Sequence, residues 1–527
     1  MPRLSGVLNA FAAFRRRLGL HAPGERLDPA RFLAHAARLA ARAPAPDGLW
    51  LSLIVETPPE RQATGGAAEY VAADLRLADP SQRFADAVRR ARAPFVARLD
   101  AAGRLAPFAA ERIAAALAAN PQTYALYTDE AATDASGRPA EIVLKPAFDP
   151  VLLDSFDYFG RLAVYRRELV LALGAPASDY ELALRVAETA PAGAILHLPY
   201  PAYIGPPRPP DPDAAAALRR VRGEIALAPG IAPDRLRPTL NPEPRAWPKV
   251  SVVIPSRDAP ALIAETLAGL YERTDYPDFD VTIVDNGSTD PQTLALYQRW
   301  RERQRVEIKP APFNFSRAVN RGAALSDGPL LLLLNNDIEV IEPGWLKELV
   351  GGFDYPQVGI VGAKLLYPDG TLQHAGVIAG LAGYAGHWHV GKKESDLGPQ
   401  RRLAARQSMS VVTGACMLVS RACFERLGGF DEKAFAIAYN DVDFCLRAGA
   451  VGFRVLWTPF ARLVHHESVS RGSDETKANR ARFALEKAAL RERHRTEALE
   501  DRAYNPWAAR GHSDPWPVAR ATLPAPR

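Results

Sequence analysis

Residues 329–337 read PLLLLLNND, five consecutive leucines closed by two amides and an acid. The run is far shorter than the roughly 20 apolar residues a membrane-spanning helix needs, so the leucines must be buried in protein. A short apolar run bounded by proline and polar residues reads as a strand covered on both faces, like the central strands of parallel sheets. Burying such a strand fixes where its end lies. In open α/β sheets ligands bind beyond the carboxyl ends of the strands, so Asn335-Asn336-Asp337 is the first candidate for a site.

The flanking sequence supplies the rest of such a sheet. Apolar runs at 250–254, 281–284 and 306–309 read as strands, with helices expected near 261–273, 291–303 and 316–324. Strands alternating with helices of this length indicate a parallel sheet in an α/β layer fold. Pro255 and Asp285 fall, like the leucine strand's triplet, at strand ends.

The chain also resembles itself. PFVARLDAA (from Pro94) lines up with PLLLLLNND (from Pro329), and RLAVYRRELVLALG (from Arg161) with ACMLVSRACFERLGG (from Ala415). Further on, SDYELALR (from Ser178) matches NDVDFCLR (from Asn440), and ILHLP (from Ile195) matches VLWTP (from Val455). Four correspondences in one order point to an eroded copy of the same α/β unit in the N-terminal half. Between the copies the chain turns proline-rich (GPPRPPDPD), a composition that resists helix and marks a boundary, with a helical insert around 214–227. The expected organisation is a degenerate α/β module with an N-terminal helical region at 1–205 and a linker at 206–248. A second α/β domain follows at 249–472, then a basic helix and irregular tail at 473–527.

Bulk composition narrows the function classes. A length of 527 residues leaves room for two or three domains, and a net charge of +5 from 65 basic and 60 acidic residues gives no concentrated basic face for nucleic acid. Cys416, Cys423 and Cys445 form no CxxC pair, so neither a zinc site nor a disulfide framework is expected, and a reducing cytoplasm fits. Leu4, Leu8, Phe11 and Leu18 recur near helical spacing beside Arg3 and Arg15-Arg16-Arg17. That stretch reads either as a membrane-surface helix or as an ordinary first helix. The basic run ANRARFALEKAALRERHR at 478–495 has the same two readings, contact with an anionic membrane or a solvated face.

The segments VSVVIPSRD, IVDNGSTD, FNFSRAVNRGAALSDG, LLLLLNNDIEV, KLLYPDGTLQHAGV, VTGACMLVSR, GGFDE, YNDVDFCLR and HHESVSRG resemble the inverting glycosyltransferases of family 2. Within it they are similar to bacterial two-module proteins of rhamnosyltransferase type, which act in O-antigen, capsule or S-layer glycan assembly. The close likeness covers 249–472 and a looser one about 90–204. It implies a GT-A fold in the C-terminal half, preceded by a degenerate GT-A-like half. It also implies an enzyme that moves a sugar, rhamnose being the family's suggestion, from a nucleoside diphosphate to a hydroxyl of a bacterial surface glycan. The implied partners are a nucleoside-diphosphate sugar and a glycan or lipid-linked glycan. The implied place is the cytoplasm, with peripheral contact at the inner face of its membrane.

Such a reaction needs a grip on the nucleotide, a counter-charge for the departing diphosphate and a base for the attacking hydroxyl. Asp285 is placed like the family's nucleobase-binding acid, although Asp-Asn-Gly is also a turn former. Asp337 is placed like the metal acid, a hard oxygen donor suited to Mn²⁺ or Mg²⁺. Where family members commonly carry Asp-x-Asp, this chain has Asn335-Asn336-Asp337. Asp441 matches the family's base, with Asn440 where an acid is usual. His465, with His466 as fallback, matches a histidine that completes the metal site. Pro255, Arg257 and Asp258 are expected to border the nucleotide. Asn320 and Arg321 are expected to face the diphosphate or sugar, and Thr413 and Gly414 to approach the donor sugar. His374, with Gln373, His387 and His389, is expected to shape the acceptor side. Asp443 reads as a helix-start acid. In the N-terminal copy Asp100-Ala101-Ala102 stands opposite the triplet, Asp179 stands opposite Asp441, and no histidine matches His465. That half is expected to do no metal-dependent transfer and to serve as scaffold, acceptor guide or dimer surface. The rival readings are a sugar-nucleotide-binding scaffold without turnover, favoured by Asn335 and Asn440, and a nucleotidyltransferase. The latter would want a glycine-rich phosphate loop that PSRDAP (from Pro255) lacks.

Overall fold

The computed structural model describes residues 24–56, 66–174, 176, 178–466, 477–511 and 515–527. The amphipathic N-terminal stretch and the end of the HHESVSRG motif lie outside the described residues. The chain divides into two units, one of Met1–Gly223, Tyr504–Ala509 and Pro515–Arg527, the other of Glu224–Ala503 and Arg510–Asp514.

In the second unit the strands Val250–Ser256, Phe279–Asp285, Gln304–Ile308 and Leu330–Leu334 run parallel, as their apolar runs predicted. All five leucines are buried, and since successive strand residues point to opposite faces, the strand is covered on both. The helices between these strands begin where the sequence supplies a cap. The Asp290 carboxylate accepts the N–H groups of Gln292 and Thr293 to open Pro291–Arg299, and Asn314 accepts that of Arg317 to open Phe315–Ala324. Gly322 lets the second of these helices lie on the sheet, because a Cβ there would run into Val253.

The sheet is mixed rather than parallel throughout. Cys416–Ser420 runs antiparallel to Leu330–Leu334 and to Val358–Leu366, which in turn lies parallel to Arg454–His465. Ile338–Val340 closes the edge antiparallel to Arg454–His465, with Ile338 opposite His465. Apolar runs report burial but not direction, so this half was not legible as antiparallel.

The first unit repeats this order. Its strands run Ala68–Ala72, Leu51–Val55, Phe95–Arg98, Ala163–Arg166, Ala125–Thr133, Ile195–Gly205 and Arg104–Leu105. Relative directions are the same at each pairing shared with the second unit. Registers agree as well: Phe95 faces Arg166 as Leu330 faces Ser420, and Arg104 faces Ile204 as Glu339 faces Val464. The first of these rungs joins segments that two of the sequence matches align, and the second lies just beyond two aligned segments. The two halves are copies of one α/β template, the second carrying the extra edge strand Gln304–Ile308.

The linker, expected to hold one helix, and the tail, expected to be irregular after its helix, carry more structure than that. The 206–248 segment supplies the helix Ala214–Arg222 to the first unit and the hairpin of Ala226–Ala228 with Arg237–Thr239 to the second. The C-terminal region is shared in the same way. Helix Lys477–His494 counts with the second unit, while Tyr504–Ala509 and Pro515–Arg527 count with the first. The latter segments lack regular elements but are tightly held. Trp507 is fully buried with its ring edge-on to Phe32 at 5.0 Å, and its indole N–H donates to the Pro199 carbonyl at 2.6 Å. The Asn505 amide donates to both oxygens of buried Asp129 at 3.0 Å. Side-chain anchoring of this kind leaves no periodic trace in sequence. Trp507→Ala is expected to destabilise the N-terminal unit by about 3–5 kcal/mol, the usual cost of truncating a buried aromatic, read as an earlier unfolding transition in urea; an irregular free tail would show none.

Candidate active site

Three strand ends meet where the sheet opens. Asp285, last residue of its strand, is buried and fully engaged. One oxygen accepts the N–H groups of Gly287 (2.8 Å) and Ser288 (2.6 Å), the other the hydroxyls of Ser288 (2.5 Å) and Tyr297 (2.7 Å). The carboxylate thus holds the Asn-Gly-Ser turn in shape, and burial pushes the Tyr297 hydroxyl well above its usual range. Asp258, at φ +47°, accepts the N–H groups of Asp290 and Thr289, which hold its carboxyl below the usual carboxylate range. Together the two acids tie the ends of two strands to one another. Asn336 adds the third, its amide donating to the Ser256 hydroxyl at 3.2 Å.

Asp337 and His465 come together from strands that pair at this edge. The His465 Nε2 lies 3.1 Å from Asp337 Oδ1 and 3.1 Å from the Asn335 amide nitrogen, while its Nδ1 lies 2.7 Å from the Gln373 Oε1. A glutamine oxygen can only accept, so Nδ1 donates to Gln373 and Nε2 is the ring atom turned toward Asp337 and Asn335. Nε2 faces a buried carboxylate oxygen with no hydrogen-bond donor of its own. An approach of 3.1 Å between two such atoms calls for a proton or a cation between or beside them. The pair therefore fits a divalent ion, with Gln373 setting the ring's tautomer. Among the described residues no three His, Cys, Asp or Glu side chains form a metal cage. The protein would supply two donors and leave the remaining positions to phosphate oxygens and water, the usual arrangement for Mg²⁺ at a nucleotide.

A cleft of about 250 Å³ opens beside this pair, lined among others by Asn335, Gln373, Thr413, Gly414, Asp441 and His465. Asp441 stands in the first turn of helix Asn440–Ala450. One of its oxygens accepts the Gly414 N–H at 2.9 Å and the other the Val442 N–H at 2.8 Å. Two backbone donors orient the carboxylate, and each oxygen keeps a further lone pair. His374 is buried. Its Nε2 accepts the Thr413 N–H at 3.3 Å, and its Nδ1 lies 3.1 Å from the His387 Nδ1. Burial, with His387 and His465 nearby, drives its pKa well down and keeps it neutral. Asn440 serves its own turn, donating to the Ile437 carbonyl and accepting the Asp441 N–H.

Several residues expected at the site are engaged elsewhere. Both atoms of the Asn320 amide are used by Phe430 and Glu432, so it ties its helix to the Gly-Gly-Phe-Asp-Glu loop instead of facing a diphosphate. Arg321 is paired with Glu307 through its Nε and Nη2, one edge of the guanidinium meeting both carboxylate oxygens. His466 turns to Glu339 at 3.1 Å, away from the Asp337–His465 pair. Arg257 is exposed and Pro255 is buried within its strand. The supporting residues Ser256, Ser288 and Tyr297 were missed. The only trace of them in sequence is that Ser256 ends a strand, Ser288 follows one and Tyr297 lies in the helix after it.

In the first unit the corresponding ground is closed by ion pairs. Arg161 pairs with Asp100 at 2.9 Å, and Tyr203 donates to the same acid at 3.0 Å. Arg208 pairs with Asp157 at 2.5 Å and approaches Asp179 at 3.7 Å, which Arg98 meets from its other side at 3.3 Å. Ala102 and Gly205 occupy the places of Asp337 and His465, and a Cβ on Gly205 would run into the Tyr203 hydroxyl.

A mixed sheet whose parallel half ends in paired acids, beside a cleft floored by a third, defines the GT-A class of nucleotide-sugar folds. Residues 251–428 match the family described as glycosyl transferase family 2. The match covers about a third of the chain and lies wholly within the second unit. Over 461 residues it is 36% identical to "Uncharacterized protein y4gI" of Sinorhizobium fredii, covering 82% of this chain and 50% of that one. Over 409 residues it is 37% identical to "O-antigen biosynthesis protein RfbC" of Myxococcus xanthus, covering 73% of this chain and 32% of the other. It is 29% identical over 234 residues to "N-acetylglucosaminyl-diphospho-decaprenol L-rhamnosyltransferase" of Mycobacterium tuberculosis, covering 40% of this chain and 73% of that protein. The chain thus spans half or less of the length of the first two relatives.

Gln373→Leu removes the acceptor that fixes the His465 ring while keeping its approximate size. It is expected to lower Mn²⁺ affinity in the presence of a nucleoside diphosphate about 10–100-fold, read by electron paramagnetic resonance titration. Unchanged affinity would mean that the ring is not set by Gln373.

Proposed function

We propose that the second unit transfers a sugar from a nucleoside diphosphate to a hydroxyl of a bacterial surface glycan with inversion, Asp441 acting as the base. The observation that carries this reading is the placing of Asp441 and the Asp337–His465 pair around one cleft. A divalent cation held by Asp337 and His465 would offset the charge that develops on the departing diphosphate. Asp441, steadied by the Gly414 and Val442 N–H groups, takes the proton from the attacking hydroxyl. A one-step displacement from the face opposite the diphosphate inverts the sugar carbon. The turn built on Asp285 and Asp258 borders the nucleotide, and the cleft wall of Thr413 and Gly414 the donor sugar. Rhamnose as donor and a lipid-linked glycan as acceptor draw support from the names of the relatives. Work on such an acceptor suits the inner face of the cytoplasmic membrane. Among the described residues no helix is long and apolar enough to cross a membrane.

The first unit, on this reading, binds no donor. Three arginines already neutralise the three acids at its matching place, and no acid or imidazole stands where Asp337 and His465 stand. It serves as scaffold or acceptor guide.

Release of nucleoside diphosphate from a panel of UDP-, GDP- and dTDP-sugars, with and without Mn²⁺, tests the assignment. Asp441→Asn is expected to lower kcat about 10²–10⁴-fold, the range for loss of a general base, and Asp337→Ala to abolish the Mn²⁺ response. Turnover indifferent to both substitutions would sink it, and donor binding without turnover on any acceptor would favour the scaffold reading that Asn335 and Asn440 suggest. Calorimetry with the preferred nucleotide should give one site per chain in the parent, strongly weakened in Asp337→Ala. Two sites would show that the first unit still binds.

A further inference from the structure

The residue before Asn440-Asp441 is Tyr439, and its backbone is left-handed, at φ +58° and ψ 8°. A bulky residue rarely stays in that region unless its surroundings over-determine it, and such residues gather where a site needs a side chain aimed. No glycine relieves the turn here. The contacts that hold it come largely from one element, the helix Lys477–His494, which the sequence suggested was an exposed basic surface.

That helix grips the Asp441 segment at three points. Upstream, the Glu486 carboxylate is buried and accepts the Ile437 N–H at 2.8 Å. At the strained residue itself, the Phe483 ring stacks on Tyr439 with centroids 5.5 Å apart. Downstream, Arg493 and His494 each reach one oxygen of buried Asp443 at 2.9 Å, while Arg447 holds the other at 2.7 Å. Arg493 extends the grip to Asp431 at 2.8 Å. Burial pushes the Asp443 carboxyl up, yet hydrogen bonds from His494 and Arg447 outweigh this and hold it below the usual range. Phe483, Glu486, Leu490 and His494 recur at the three- and four-residue spacing of one helix face, so the grip belongs to a single surface. Ile437, Tyr439 and Asp441 all line the cleft.

We propose that helix Lys477–His494 is a positioning element of the active site: by clamping Ile437, Tyr439 and Asp443 it holds the left-handed turn that aims Asp441 into the cleft. The proposal rests on the reading of Asp441 as the base. Its residues touch no substrate and act through the turn. The helix is not spare surface: at its C-terminal end Arg493 and His494 are turned inward onto Asp443, and Arg493 also onto Asp431.

The test uses the full chain and the double variant Phe483→Ala/Glu486→Ala, with Arg493→Gln as a milder second variant and Phe483→Tyr and Glu486→Gln as conservative controls. Hydrogen exchange is followed across residues 431–445, kcat as dTDP release from dTDP-rhamnose with Mn²⁺, and affinity by dTDP binding. The expected result is faster exchange confined to that segment and a kcat at least about 10-fold lower, a misplaced group costing up to about 10²-fold. The dTDP affinity should stay within about 2-fold, well under the tenfold that 1.4 kcal/mol represents, and both controls should restore activity. Unchanged exchange overturns the clamp. So does a fall in dTDP affinity parallel to that in kcat, because the damage would then be general. Asp441→Asn in the same series judges the base separately. Should it turn over normally, the reading of Asp441 fails, while exchange still decides whether the helix holds the turn.

Discussion

Everything at the site depends on the burial of Leu330–Leu334. A strand covered on both faces has one register and one depth, since a one-residue slip would exchange its two faces. Its end is therefore fixed, and with it Asn335, Asn336 and Asp337. Neighbouring strands on either side carry their own polar ends to the same edge. Asp285 arrives from one side and His465 from the other, on a strand that two antiparallel steps return to the direction of the leucines, across a pairing in which Ile338 meets His465. The sheet does not merely support the site. It brings together groups separated by well over a hundred residues.

The polar groups at that edge divide by whether the protein has already used them. Asp285 has four donors on its two oxygens and spends itself on the turn. The Asp337 Oδ1 has no hydrogen-bond donor and faces the His465 Nε2, and Asp441 holds two backbone donors. A buried carboxylate left without a donor is costly unless something outside the protein completes it. This difference, more than the identity of the residues, separates architecture from chemistry here. It also explains why replacing a usual acid by Asn335 need not empty the site: the amide nitrogen lies within hydrogen-bond reach of His465 Nε2 and leaves the Asp337 oxygen free.

Much of this was legible in sequence, and what was not has physical reasons. The parallel strands and their helices followed from apolar runs, and the internal repeat showed that the two halves share one α/β unit, which the matching strand orders bear out. Antiparallel direction could not be read, because burial on both faces looks the same whichever way a neighbour runs. Asn320 and Arg321 were expected at the ligand because amides and guanidiniums bind phosphate. The same groups bind a backbone loop or a glutamate equally well, and only coordinates say which partner is present. The helix at 477–494 looked basic and solvated because charge counts do not reveal that Arg493 and His494 have acids to meet.

The ion pairs in the first unit carry a consequence for how such duplicated proteins change over time. An acid restored at Ala102 would arrive beside Asp100, whose charge Arg161 already balances, and an imidazole restored at Gly205 would meet Tyr203. Neither residue alone would rebuild the pair that Asp337 and His465 form in the second unit. Loss of the site could proceed one residue at a time, but its return would demand several changes at once. The arrangement behaves as a ratchet, leaving the first copy free to drift in surface and partner while the second alone keeps its lone pairs exposed to a ligand.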